Sequence, residues 1–163
     1  MFHYDSGAYV AARGFDGGVD LQMLFPGHER PLNIQLALGI FGTNLQTQGA
    51  TEGVSWTYAP DFRDMPSPAP GEEWVFDVTQ KRGSAPNATE QSTYTWSAPE
   101  APLTIGGCPF EYLTLEVTTA LLGAPHITRH AYLTDYGFVL MMEQTYQDAP
   151  NFWGNPVAVE VLE

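Results

Sequence analysis

The residues most able to do chemistry in this chain are few, and their spacing decides what they can do. Four histidines are present, at positions 3, 28, 126 and 130. His126 and His130 stand four apart, a spacing that on a helix would turn both imidazoles to one face. Pro125 precedes them and the segment reads as extended, so at strand rise they lie about 13 Å apart. That distance is too long for both to ligate one zinc ion. His3 falls in a terminal segment and His28 in a Pro-Gly turn, and both read as surface or internally satisfied side chains.

Carboxylates are plentiful, nineteen in all. Asp16 with Asp20, around Gly17-Gly18, and Asp61 with Asp64, in a Pro-rich stretch, are the pairs that could offer oxygens to calcium. Neither fits the twelve-residue loop with its closing Glu. We therefore expect no metal. Cys108, the single cysteine, excludes an intrachain disulfide and has no neighbouring base to lower its pKa, which reads as a structural thiol. A Gly-x-Ser-x-Gly elbow is absent, and no glycine loop follows a strand and opens a helix as a phosphate cradle would. The expectation is no catalytic residue, no nucleotide and no other cofactor.

The elements that would position any site are strands. In Leu32-Asn33-Ile34-Gln35-Leu36-Ala37-Leu38-Gly39-Ile40 every even residue is a large aliphatic, an arrangement that collects on one face of a strand and scatters around a helix. Val19 to Phe25, Val54 to Tyr58, Trp74 to Val78, Tyr94 to Trp96, Leu113 to Val117 and Val157 to Val161 alternate likewise. Together with His3 to Arg13, Ile127 to Leu133 and Phe138 to Tyr146 they make roughly ten strands of ordinary length. Thr118 to Leu122 is the one place where a short helical turn is expected. Gly-Phe-Asp-Gly-Gly at 14–18 and Asp135-Tyr136-Gly137 supply hairpin turns. Between residues 59 and 72 four prolines, at positions 60, 66, 68 and 70, forbid regular pairing. That stretch is long enough for a lid.

Short links between successive strands favour an antiparallel meander. At 163 residues, with neither an internal repeat nor a shift in composition, the chain reads as a single all-β domain. A sheet of that size must curl into a half-barrel or barrel, or split into a β-sandwich. Large aromatics sharing one parity favour the curled sheet.

Six Lys and Arg against the nineteen acids give a formal charge of −13, which repels nucleic acid and anionic membrane. The longest apolar runs are far too short to cross a bilayer, so no transmembrane segment is expected. Met1 leads directly into Phe2-His3-Tyr4-Asp5 with neither a basic start nor an apolar core, as in a cytoplasmic protein or an exported one read from its cleavage site. The remaining signal is apolar. Phe138-Val139-Leu140-Met141-Met142 is hydrophobic at successive positions and should be shielded on both faces, one of them toward a core, a cavity or an interface. Trp56, Tyr58, Trp74, Tyr94 and Trp96, with Phe138, Leu140 and Met142, are the residues expected to line a ligand site, unless they simply fill the core.

Gly107-Cys108-Pro109-Phe110-Glu111-Tyr112-Leu113, followed by Arg129-His130-Ala131-Tyr132-Leu133-Thr134-Asp135-Tyr136-Gly137-Phe138-Val139-Leu140, resembles a hairpin of exported bacterial β-proteins. There, a strand ending in Tyr-x-Pro-Asp/Glu-x-Gly returns beneath a curved sheet. The lipoprotein-carrier half-barrels and the violacein-pathway enzyme that shares their fold are the family in question, and Thr134 stands where their pattern has proline. The resemblance implies a curved antiparallel sheet, periplasmic or secreted, with an apolar concave face. The expected function is a non-enzymatic domain holding an apolar small molecule or lipid. An enzyme with a small polar site inside the barrel, or a structural module pairing through a sheet edge, are the alternatives, and the oligomeric state is left open.

Overall fold

A computed structural model describes residues 1–121, 124–146, 149–151 and 154–160. Fifteen strands follow one another: β1 (Phe2–Tyr4), β2 (Tyr9–Phe15), β3 (Gly18–Leu24), β4 (Leu32–Ala37), β5 (Phe41–Thr47), β6 (Val54–Ala59), β7 (Glu73–Arg82), β8 (Ala88–Ser97), β9 (Leu103–Ile105), β10 (Cys108–Phe110), β11 (Tyr112–Leu121), β12 (Ala124–Leu133), β13 (Phe138–Tyr146), β14 (Ala149–Asn151) and β15 (Pro156–Val159). The only helical element among the described residues is a single 3-10 turn, Phe62–Asp64. Asp61 caps it by accepting from the Arg63 backbone N–H at 3.0 Å.

Thirteen strands form one sheet in the order β14-β13-β12-β11-β8-β7-β6-β5-β4-β3-β2-β1-β15, every pair antiparallel, and the sheet curls into a nearly closed barrel. The curled all-β sheet is therefore as expected, but the strand count is higher than ten. His3 to Arg13 is not one strand: the chain turns at Asp5–Gly7, where Gly7 has φ +83°. Leu32 to Ile40 also breaks. It ends at Ala37 because Leu38 and Gly39 both take positive φ, and the chain returns as β5. That strand escapes a reading by alternation because only Phe41 and Leu45 of its seven residues are large and apolar. Thr118 to Leu121 belongs to β11 and makes no helical turn, held by pairing to Thr93 and Ser92 on one side and to β12 on the other; residue 122 lies outside the described residues, as does residue 161 of the last expected strand.

Among the described residues, side chains rather than a further hydrogen-bonded ladder bring the two ends of the sheet together. Phe2 of β1 meets Phe138 of β13 edge-on, with ring centroids 5.8 Å apart, and Phe110 of the β9–β10 hairpin flanks Phe2 at 6.4 Å. Gly106 ties that hairpin to β15 by donating to the Val157 carbonyl at 2.9 Å. Ile105, fully buried, fills the space beneath.

One end of the barrel carries the Pro-rich stretch. There Phe41 stacks on Phe62 at 4.8 Å and contacts Tyr58, Trp74, Phe76 and Tyr94 at 5.3 to 6.3 Å. Mixed stacked and edge-on contacts of this kind add to the large area these rings bury. The β4–β5 turn folds in at the same end and accepts a hydrogen bond from the Val139 N–H on the Gly39 carbonyl, at 2.9 Å. The backbones approach so closely that a Cβ on Gly39 would collide with the Gly137 carbonyl oxygen, and Gly39 also needs φ +70°.

Gly17, at φ +85°, has open space where a Cβ would go. Gly17→Ala should therefore cost only the conformational penalty of a left-handed residue, about 1–2 kcal/mol. Gly39→Ala should cost clearly more, since it must also push the facing backbones away from each other. Urea unfolding of both variants checks this, and equal losses would show that the Gly39–Gly137 approach contributes nothing.

Candidate functional site

Beside the aromatic cluster the barrel interior is not filled. A cavity of about 280 Å³ lies between the walls, bounded by Val10, Leu21, Met23, Ile34, Leu36 and Ile40 on one side and Leu115, Val117, Val139, Leu140 and Met141 on the other. Tyr58 and Tyr94 belong to both the aromatic cluster and the cavity wall. Strand alternation explains the lining. Leu21 pairs with Ile34, Met23 with Val10, and Val117 with both Tyr94 and Thr128, so residues of one parity meet across successive ladders and face inward together.

Polar groups in this wall are few and uncharged. Tyr58 donates its hydroxyl proton to the Gly42 carbonyl at 2.8 Å. Burial pushes the Tyr58 phenol up to about 12 and raises that of Tyr94 well above its usual value, so both stay protonated. Tyr4 also reaches the cavity, and burial raises its phenol too. Thr128 and His130, two residues apart on β12, bond one another through Oγ1 and Nε2 at 3.0 Å. His130 Nδ1 is shielded and has no hydrogen-bond partner among the described residues, and desolvation lowers the imidazole to about 4. An imidazole that weakly basic is a poor proton acceptor near neutrality, and no carboxylate among the described residues orients it.

The residues expected to line a ligand site divide. Trp56, Tyr58, Tyr94 and Leu140 border the cavity. Trp74 and Trp96 do not; they pack edge-on at 5.1 Å in the core, and Trp74 borders a separate depression under the Pro-rich stretch with Phe62 and Met65. Phe138 is buried in the seam. Met142 lies in an outer groove with Glu116, Arg129 and Glu143, away from the cavity. Alternation is responsible: Met141 pairs with inward-facing His130, so Met142 points outward, and a β-bulge that pairs Arg129 with Glu143 instead of Met142 brings Glu143 to that face as well. Phe138, Val139 and Leu140 are all buried, so this strand is shielded on both faces. None of residues 59–72 borders the apolar cavity.

Arg129 forms ion pairs with Glu116 and Glu143, both at 3.0 Å, but on the exposed outer face. Of the two acidic pairs, Asp61 is engaged with Arg63, and Asp20 sits in β3 opposite Arg13. Among the described residues no group of three or more His, Cys, Asp or Glu converges as metal ligands would. No helix among them is long and apolar enough to cross a membrane. Tyr4, Thr128 and His130 are cavity residues that sequence reasoning passed over. Their signal was parity, since Thr128, His130 and Tyr132 alternate on β12 opposite Val117, Leu115 and Leu113. Comparison with protein-family models, with curated proteins and with solved structures gives no match to this chain.

The His130 environment has a measurable consequence. Its imidazole titrates near 6.5 when unfolded and near 4 when folded. Between those values the unfolded chain holds the proton and the folded chain does not, so stability falls as pH drops from about 6.5 to about 4 and this contribution is level below that. A shift of this size corresponds to about 3 kcal/mol. His130→Leu should flatten the pH dependence of unfolding free energy in that window by one proton. Superimposable slopes for the two proteins would show that His130 is not held neutral.

Proposed function

We propose that this protein binds an apolar small molecule inside its barrel and does not act on it chemically. The observation that carries this reading is the cavity of about 280 Å³, walled by aliphatic side chains from strands all around the sheet. An apolar cavity of roughly half that size holds a benzene molecule, so this one has room for roughly a dozen non-hydrogen atoms. Ligand sites of this type are mostly apolar with a few placed polar groups, as here. A medium-length alkyl chain or a fused ring pair suits the space, and either is lipid-like in its chemistry.

The acidic surface, with a single lysine, supports a setting outside the cytoplasm where salt screens self-repulsion. In that setting a barrel with a dry interior would carry or store a water-insoluble compound, the role also implied by the likeness of residues 107–113 and 129–140 to the exported half-barrels.

Naphthalene is a suitable first probe. It should bind saturably, one per chain, perturbing the methyl resonances of Leu21, Ile34, Leu115 and Val139. At a hundredfold excess over its dissociation constant it should stabilise the fold by about 2.7 kcal/mol. Val117→Phe, which extends a half-buried wall residue into the empty space, should abolish binding while leaving the melting temperature unchanged or higher. If no probe of this size binds saturably, or if Val117→Phe binds as well as the parent, the cavity is not a ligand site.

A further inference from the structure

The cavity is closed toward the Pro-rich stretch and open away from it. On the closed side its inward residues are buried: Leu36 on β4, Leu115 on β11 and Val139 on β13. One inward position farther along the same strands, Ile34, Val117 and Met141 line the same cavity but are half-buried. Both sets face the empty space, so what distinguishes the second set is contact with solvent. The barrel therefore has its mouth at the end that carries the turns after β3, β5 and β7, opposite the ring cluster around Phe41.

At that mouth the lining turns polar on one side. Ser92 follows Tyr94 on β8, Thr119 follows Val117 on β11, His126 follows Thr128 on β12, and Gln144 follows Met141 on β13. Register sets Ser92, Thr119 and His126 in one row across three strands, with Gln144 opposite Thr128 beside it. The Ser92 and Thr119 hydroxyls bond at 2.8 Å, and Gln144 Nε2 donates to His126 Nε2 at 2.7 Å. The first of these bonds uses one of two hydroxyl protons, so the row keeps donors as well as acceptors for a guest.

Charge narrows what this lip can hold. Strand β8 continues outward to Glu90, half-buried on the same face, and the whole chain carries a formal charge of −13. An anionic head would meet that repulsion while partly stripped of water. Arg82 ends β7 at the same mouth but is exposed, where water and salt screen it. Hydroxyl and amide groups suit an uncharged head that both donates and accepts. The same head at the closed end would lose its hydration against the rings.

Resting on the cavity's being a ligand site, we propose that its ligand is a single-chain amphiphile held in one orientation. The alkyl tail lies inside the barrel toward Leu36 and Leu115, and an uncharged, hydroxylated head stands in the mouth on Ser92, Thr119, His126 and Gln144. Because the head is outside the enclosed space, the cavity volume limits the tail and not the head.

Octane, 1-octanol, octyl glucoside and octanoate, each below its micellar concentration, test this by competition or calorimetric titration. Octyl glucoside should bind within about threefold of 1-octanol or tighter, although its head is far larger than the space beside the tail. Octanoate should bind about fivefold more weakly than octyl glucoside. In the octyl glucoside complex, nuclear Overhauser contacts should join the sugar to the Thr119 and Thr128 methyls, and the terminal methyl of the chain to Leu36 and Leu115. Thr119→Val keeps the shape and removes the hydroxyl. It should weaken octyl glucoside about fivefold, the worth of one ordinary hydrogen bond, and leave octane within about twofold, which also shows that the variant is folded. The orientation is overturned if octyl glucoside falls below that range, if octanoate matches it, if the sugar contacts Phe62 and Met65 instead, or if Thr119→Val leaves octyl glucoside where it was. If octane, 1-octanol and octyl glucoside all fail to saturate the parent protein, the ligand-site reading itself falls, a result distinct from octane binding while octyl glucoside does not.

Discussion

A sheet of thirteen strands rolled on itself encloses more space than its own inward side chains can fill. Barrel diameter grows with strand number, and about eight strands is the size at which side chains just meet in the middle. Everything else in this structure follows from how the surplus volume is handled. At one end the chain solves the problem with rings: Phe41, Tyr58, Phe62, Trp74, Phe76 and Tyr94 meet in one cluster, with Phe62 brought in by a loop rather than by a strand. Beside that cluster the inward positions are Val, Leu, Ile and Met, whose reach is shorter, and the interior stays open.

The same surplus explains why closure is made by side chains. Joining the ends of so wide a sheet by a full ladder would need long, matched edge strands, but the strands at the margins, β1, β14 and β15, are three or four residues long. Phe2 against Phe138, the β9–β10 hairpin over the seam and the Gly39 carbonyl on the Val139 N–H close the barrel instead. The glycine at position 39 belongs to this closure, because only a residue without Cβ lets the turn lie so close to Gly137.

How much of this could be read in the sequence depended on whether a feature was local. Alternation in Val19 to Leu24, Leu32 to Ala37 and Val54 to Tyr58 is a property of each strand alone and translates directly into inward faces. Strand β5 could not be read that way, since Phe41-Gly42-Thr43-Asn44-Leu45-Gln46-Thr47 is strand only because β4 lies beside it. The bulge at Arg129/His130 is likewise a property of two strands together. It sets Glu143 opposite Arg129 on the outer face, while Met142 lies outside because Val139 and Met141, opposite Tyr132 and His130, take the inner face. Trp74 and Trp96 had the composition of a ligand site but became core, because Phe41 and Tyr132, distant in sequence, cover their faces.

The division between a charged exterior and an uncharged interior is what gives the cavity its chemical character. Arg129, with Glu116 and Glu143, and His130 are neighbours in the same region of the sheet, yet the first three meet on the exposed outer face while the His130 Nδ1 is shielded from solvent. An ion pair on the outer face costs little and contributes little. The same charges turned inward would have to be desolvated, and an interior that excludes them can keep only groups that satisfy themselves or each other. Tyr58 on Gly42 and His130 on Thr128 are arrangements of that kind. Each consumes hydrogen-bonding capacity within the wall, so the surface left facing the cavity is mostly aliphatic.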